Sequence, residues 1–264
     1  MMIKKKSLWQ QSQPWVITIV VVGIFLWGFS GIPLNGIKST AGQVLGSILN
    51  GLFHPDWSYV YSGDGEDLIT ALLETLAIAF LGTFISAILA VPLAFWAAKT
   101  TRKFFSPKSA TGKLLLTVIR VFPELVLAIM FTKAVGPGAY AGVLALGFHS
   151  VGMMGKLFSE AIENIDRGPN EAIAAAGGSA LDGLTMATFP AVLPEFMNYT
   201  LYRFEISVRS ASILGIVGAG GVGAPLIFAL STRSWPRVGI ILIGIVVMVT
   251  AIDFISGQIR KRLV

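Results

Sequence analysis

Long apolar runs alternate along this chain with short polar stretches that hold most of its charge. An apolar helix of about 18 to 22 residues crosses roughly 30 Å of hydrocarbon. Six runs reach that length, near 14–33, 68–98, 113–135, 138–158, 195–217 and 237–257. The second would be roughly 46 Å long as a helix, so it must tilt, kink near Pro92 or project beyond the bilayer. The fifth is interrupted by Arg203, Glu205 and Arg209. Residues 36–53 have helical apolar spacing that suits the outer interface. The pattern predicts an all-α, polytopic membrane protein with about six transmembrane helices.

Composition agrees. Of 264 residues, 54% are hydrophobic and 13% charged, against about 25% charged in soluble domains. The net charge of +6 raises nucleic acid as a partner. The basic residues lie mostly between apolar runs, however, where the positive-inside rule accounts for them and nucleic acid is not expected. Lys4, Lys5 and Lys6 precede the first run, and Lys99, Arg102, Lys103, Lys108 and Lys113 crowd the second loop. Arg260, Lys261 and Arg262 end the chain. Six spans put all three clusters on one side. The expectation is a cytoplasmic N-terminus (1–13), a transmembrane domain (14–258) and a cytoplasmic C-terminus (259–264), multi-pass in the inner or plasma membrane. The basic start and first apolar run resemble a signal peptide, but the run is long and no small-x-small site follows closely, so an uncleaved first span is expected. There is no cysteine.

The loop 159–190 is more specific. Arg167-Gly168-Pro169 breaks the preceding helix, and Pro169 suits the first turn of a new one, with Glu171 near its positive end. Gly177 and Gly178 can end that helix in a left-handed turn. Ser179 and Asp182 have capping-box spacing for the next, and Pro190 and Pro194 mark the entry to the fifth run. The segment resembles the coupling loop of ABC-importer permeases: Glu-Ala-Ala, three residues, Gly, nine residues, Ile, one residue, Leu-Pro. Glu171, Ala172, Gly177 and Pro190 stand in register, while Ile173, Ala187 and Phe189 depart with small or apolar side chains. Residues 121–131, 142–163 and 202–223 are similar to phosphonate permeases of that superfamily, so the likeness covers most of 113–223.

The resemblance implies a type I importer subunit that is not itself an enzyme. Its partners would be a second, identical permease subunit, a cytoplasmic ABC ATPase dimer, an extracytoplasmic solute-binding protein and membrane lipid. ATP and Mg would be used by the ATPase, with no cofactor in this chain; the absence of a GxxxxGK[ST] loop agrees. The implied solute is phosphonate or a related phosphorus oxyanion. Alternatives are phosphite, an amino acid or another small solute, or a secondary transporter working alone.

Ionisable residues within spans are costly and usually face the bundle interior or water. Arg203, Glu205 and Arg209 are candidates for an anion route, because guanidinium suits phosphorus-bound oxygens. Glu205 and Arg209 stand at i, i+4 and can pair, leaving Arg203 the freer cation. The alternative is that the three charges bind each other or backbone near the membrane surface. His149, with Ser150 beside it, is either a pathway residue or a hydrogen-bonded interior histidine. No metal site is expected, since the second histidine, His54, is distant in sequence. Gly218, Gly220, Gly221 and Gly223 formally satisfy GxGxxG. No strand–helix context suits a nucleotide there, so close packing or a gate is the expectation.

Overall fold

The computed structural model describes residues 8–31, 41–63, 65–99 and 107–263. Lys4, Lys5, Lys6, Arg102 and Lys103, which belong to the basic clusters that set the expected orientation, lie outside them. The described residues are helical and contain no strand. Helix α1 spans Leu8–Ser30, α2 Ala41–Phe53, α3 Leu68–Ala97, α4 Pro107–Val121, α5 Glu124–Val135 and α6 Ala139–Asn164. Two short helices follow, α7 (Gly168–Ala175) and α8 (Ala180–Gly183); then come α9 (Phe189–Leu214), α10 (Gly223–Ser231) and α11 (Trp235–Leu263).

The contacts divide the chain after Ser47. In the first unit, α1 exposes apolar side chains all round, from Trp15 at 72% to Trp27 at 79%. Such a surface suits lipid rather than water. The second unit is a bundle around α3, α6 and α9. Helix α3 buries a stripe of small residues that includes Ala79, Gly82, Ser86, Ala90 and Ala94. Small side chains let helix backbones approach in lipid, where the hydrophobic effect does not drive association. Helix α6 also buries small residues: Ala141, Gly142, Ala145 and Gly152. A Cβ on Gly82 would lie 2.9 Å from the Leu146 Cβ, and one on Gly152 would lie 2.7 Å from the Arg120 nitrogen. Helix α6 therefore sits between α3 and α4, with a glycine at each crossing. Larger groups fill the wider gaps, including the stacked rings of Phe158 and Phe196, 4.1 Å apart.

Four described helices are long and apolar enough to cross a membrane: the α1 segment from Gln13, α3, α6 and α11. The expected third span, 113–135, is two helices, α4 and α5, which meet at 78° and make a fifth crossing if counted together. The expected fifth span, 195–217, falls mostly on α9, which ends at Leu214 and has the length but carries Glu195, Arg203, Glu205 and Arg209. Helix α3 runs unbroken through Pro92, so its length is absorbed by tilt or projection rather than by a break.

Two ends of the bundle are defined by tertiary contacts. At one, the Gly138 N–H donates to the Gly218 carbonyl at 2.9 Å. At the other, the Lys99 N–H donates to Glu163 Oε1 at 2.8 Å, Lys113 Nζ lies 2.8 Å from the same oxygen, and the α6–α9 loop begins.

Candidate functional site

Local signals built the α6–α9 loop as the sequence predicts. Pro169 occupies the first turn of α7, with Glu171 beside it. Gly177 has a φ of +83°. Its N–H donates to the Ala174 carbonyl, and the Gly178 N–H donates to the Ile173 carbonyl. That is the paired closure of a left-handed helix end. Ser179 and Asp182 form the capping box of α8. A π-helical turn, Leu184–Thr188, then leads into α9. Pro190 lies within the first turn of α9 and Pro194 in its interior, so the prolines mark the helix entry without interrupting it.

No side chain of α7 is buried. Glu171, Ala172, Gly177 and Pro190 are all exposed, as are Leu181 at 71% and Met186 at 72%. The loop is closed on itself by Asn170, whose Nδ2 donates to Thr188 Oγ1 at 3.0 Å. Sequence reasoning passed over Asn170, since a side chain bridging 18 positions leaves no local signature. Asp182 accepts from the Ser179 hydroxyl at 2.7 Å and from the Ser179 N–H at 2.8 Å. These two bonds, the hydroxyl first, hold its carboxyl below the ordinary range. A carboxylate favoured in the folded state supports the cap above its unfolded pKa and loses that support as pH falls through the folded value. Protease nicking within 176–184 is therefore expected to rise as the solution is acidified past the carboxylate range. Asp182→Asn should remove that dependence while leaving the loop more susceptible at neutral pH.

The candidate pathway charges are arranged otherwise than expected. Glu205 does not take Arg209. It accepts from Arg260 Nη2 at 2.5 Å, and Arg209 Nη1 reaches Asp253 Oδ2 at 3.2 Å. The cause is the antiparallel course of α9 and α11: two charges one turn apart on α9 face two opposite charges two turns apart on α11. Arg203 is not free either. It is 2% exposed; its Nε donates to Ser150 Oγ at 2.8 Å, and Nη2 stands 3.6 Å from Glu124 Oε1. Three carboxylates, Glu124, Glu205 and Asp253, thus match Arg203, Arg209 and Arg260. The sequence carries no signal of this matching, since Arg260 lies outside the expected spans and each partner sits on a different helix.

His149 is half-buried, and its Nδ1 meets the Phe122 carbonyl at 3.1 Å. The bend between α4 and α5 explains the contact. The Val126 N–H donates to the Pro123 carbonyl, which leaves the Phe122 carbonyl without its helical partner. His149 fills that place as a hydrogen-bonded interior residue.

The four glycines lie at the Gly138–Gly218 end of the bundle. Gly218 ends the α9 segment at φ +86°, and Gly220 and Gly221 also have positive φ. A Cβ would meet the Ala139 nitrogen at 2.6 Å from Gly220, Thr75 Oγ1 at 2.7 Å from Gly221 and the Ser212 carbonyl at 2.7 Å from Gly223. Gly218, Gly220 and Gly221 border a cavity of about 870 Å³ that also receives Glu74, Asp67 and Arg237. No strand precedes these glycines among the described residues, so they are not a dinucleotide loop. No cluster of metal-ligating side chains occurs among the described residues.

The family model for the binding-protein-dependent transport system inner membrane component matches residues 90–264. The phosphite transport system permease protein PtxC of Stutzerimonas stutzeri is 40% identical over 232 residues, 87% of this chain and 79% of that one. The phosphate-import permease protein PhnE of Mycolicibacterium smegmatis is 41% identical over 203 residues, 76% of this chain and 37% of that one. Among solved structures, an inward-facing MetNI methionine ABC transporter chain aligns at a TM-score of 0.64 and 22% identity, covering 75% of this chain and 96% of its own. A bacterial ABC transporter for the acidic polysaccharide alginate aligns at 0.58 and 13%, covering 97% and 99%; these two show the fold alone. The chain belongs to the family of binding-protein-dependent transport system inner membrane components, and it is a permease subunit of an ABC importer.

Proposed function

We propose that this permease carries phosphite, phosphonate or a related phosphorus oxyanion, driven by a separate ATPase that grips the α6–α9 loop. The observation that carries the coupling role is α7, an exposed helix in the loop between α6 and α9, two helices of the bundle core. Glu171, Ala172, Gly177 and Pro190 are its contact and shaping residues. Helices α6 and α9 each run 14 residues from this loop to the Ser150–Arg203 contact, about 21 Å at helical rise. Displacement of the loop by closing ATPase subunits would tilt both helices together, and differential binding of the partner's states supplies the work.

The loop end then faces the cytoplasm, where both termini also lie. Residues 14–258 form the transmembrane domain, and α9 crosses with its charges paired against α5 and α11. The Gly138–Gly218 end faces the solute-binding protein. Gly218, Gly220, Gly221 and Gly223 give that end its close packing and serve as its gate. Two identical permease subunits and an ATPase dimer complete the assembly. Support for the solute comes from the relatives named for phosphite and phosphate.

Co-expressed with its ATPase and binding protein and reconstituted into vesicles, the chain is expected to accumulate radiolabelled phosphite or methylphosphonate only with ATP present. ATP-dependent accumulation of methionine and of neither phosphorus compound would overturn the solute assignment. Uptake that persists without ATPase or ATP would overturn the coupling.

A further inference from the structure

Arg203 differs from the other two paired arginines in how it is held. Arg260 makes a direct hydrogen bond to Glu205 at 2.5 Å, and Arg209 one to Asp253 at 3.2 Å. Arg203 Nη2 and Glu124 Oε1 are 3.6 Å apart, close enough to attract and too far to hydrogen-bond. Both atoms are buried and neither has a hydrogen-bond partner. An unmet donor on a cation and an unmet acceptor on a carboxylate are each expensive in a protein interior. Together they describe a contact that is readily exchanged.

The surroundings suit an anion. Glu124 opens α5 immediately after the 78° bend, and the Val126 and Leu127 N–H groups donate to the Pro123 carbonyl, so the Glu124 and Leu125 N–H groups are the ones at this helix start that have no carbonyl one turn earlier. Arg203 Nε is fixed by Ser150, and Nη1 meets Met153 Sδ at 3.5 Å, so Nη2 is left as the donor available to a ligand. Glu124 Oε2 accepts from the Ser210 hydroxyl at 3.1 Å. His149 and Ser210 are half-buried, and the Glu124 side chain is 18% exposed, so the Glu124 side of the pair lies nearest the surface. Its depth follows from two helices. Ser150 is 11 residues from the start of α6, and Arg203 is 11 from the end of α9, about 16 Å in both cases. That places the pair midway through a hydrocarbon layer of roughly 30 Å. Broken helices with a free terminus at such a depth are a recurrent way to hold a charged solute in a membrane.

We propose that Arg203 and the first turn of α5 form an oxyanion site midway through the bundle, in which the Glu124 carboxylate stands in for a phosphorus oxyanion and yields its place as the solute passes. The inference rests on the reading of the chain as a phosphorus-oxyanion permease. Glu124 keeps the site neutral when empty and competes with the solute, so binding stays weak enough for release. When displaced, its carboxylate retains the Ser210 hydrogen bond. Glu205 and Arg209 have no part in the site, because Arg260 and Asp253 already occupy them.

The test uses the assembled transporter, with ATP-dependent uptake by the wild type establishing the solute. Equilibrium binding of phosphite is then measured on the detergent-purified complex without binding protein. Glu124→Gln removes the internal competitor, and phosphite affinity should rise by about tenfold or more, as expected when a blocked fraction is released. Arg203→Gln should abolish binding in either background. Where Glu124→Gln fails to assemble, Glu124→Asp draws the charge back by one methylene and should tighten binding in the same direction. Added phosphatidylglycerol should leave phosphite affinity unchanged; competition by the lipid would assign the site to a headgroup and overturn the proposal. A wild type that imports phosphite, with a stable Glu124→Gln that binds it no better, leaves the importer reading intact and removes this site. A wild type that imports no phosphorus oxyanion removes both.

Discussion

Gly142→Val is expected to prevent the second unit from assembling, seen as loss of the monodisperse, cooperatively melting protein in detergent. A Cβ at Gly142 would lie 2.4 Å from the Ala219 carbonyl and 3.1 Å from Ile78 Cγ2. The obstacle is backbone, and it cannot turn aside. Ala219 donates its own N–H to the Leu214 carbonyl, and neighbouring Gly218 accepts from Gly138. Ile78, Ala145 and Leu146 around it belong to one buried cluster. Overpacking a tight core typically costs about 1–3 kcal/mol and occasionally more, and contact with fixed backbone at a fully packed crossing belongs at the upper end. Gly257 is the control, since nothing lies within 4 Å of its position. Gly257→Val should melt within a few degrees of the wild type. If Gly142→Val melts there too, the packing of α6 against the Ala219 turn does not depend on that close approach.

The second large effect is functional. Glu171→Lys and Gly177→Val should each leave a folded, inserted protein whose ATP-driven uptake falls by about tenfold or more, within the range of site-to-site coupling energies. Glu171 is exposed at the first turn of α7, where reversing its charge against the helix dipole costs about 0.3–1 kcal/mol, too little to unfold the bundle. Gly177 has open space around its Cβ position and a φ of +83°, so the obstacle to Val is backbone conformation rather than collision. A β-branched residue resists the left-handed region, so the end of α7 would be rebuilt and the face offered to the ATPase moved. Uptake and binding-protein-stimulated ATP hydrolysis should be followed together in reconstituted vesicles. Wild-type values of both quantities in both variants would remove the coupling role from this loop.

The coupling segment was legible because its determinants are local. Pro169, Gly177 and the Ser179–Asp182 pair act on backbone groups within a few positions, so residue type and spacing were sufficient. The apolar runs were legible for a similar reason, since the length needed to cross hydrocarbon is counted along the chain. The prolines show where this stops. Pro92 and Pro194 lie inside continuous helices, while Pro123 accompanies a 78° bend. What distinguishes Pro123 is His149, a residue 27 positions from Phe122 that accepts the task of pairing its freed carbonyl. The charges show it as well. Sequence spacing favoured Glu205 with Arg209, and the fold gave each a partner on α11 instead.

Sequence alone therefore determined that the chain is a helical membrane protein with a shaped polar loop between two of its long apolar runs, because span length and helix capping are properties of neighbouring residues. Only the tertiary structure decided which arginine stands too far from its carboxylate to hydrogen-bond it, which proline breaks a helix and which glycine sits at a crossing. Those outcomes depend on what another helix brings to within about 4 Å, and distance of that kind is not recorded in the order of residues.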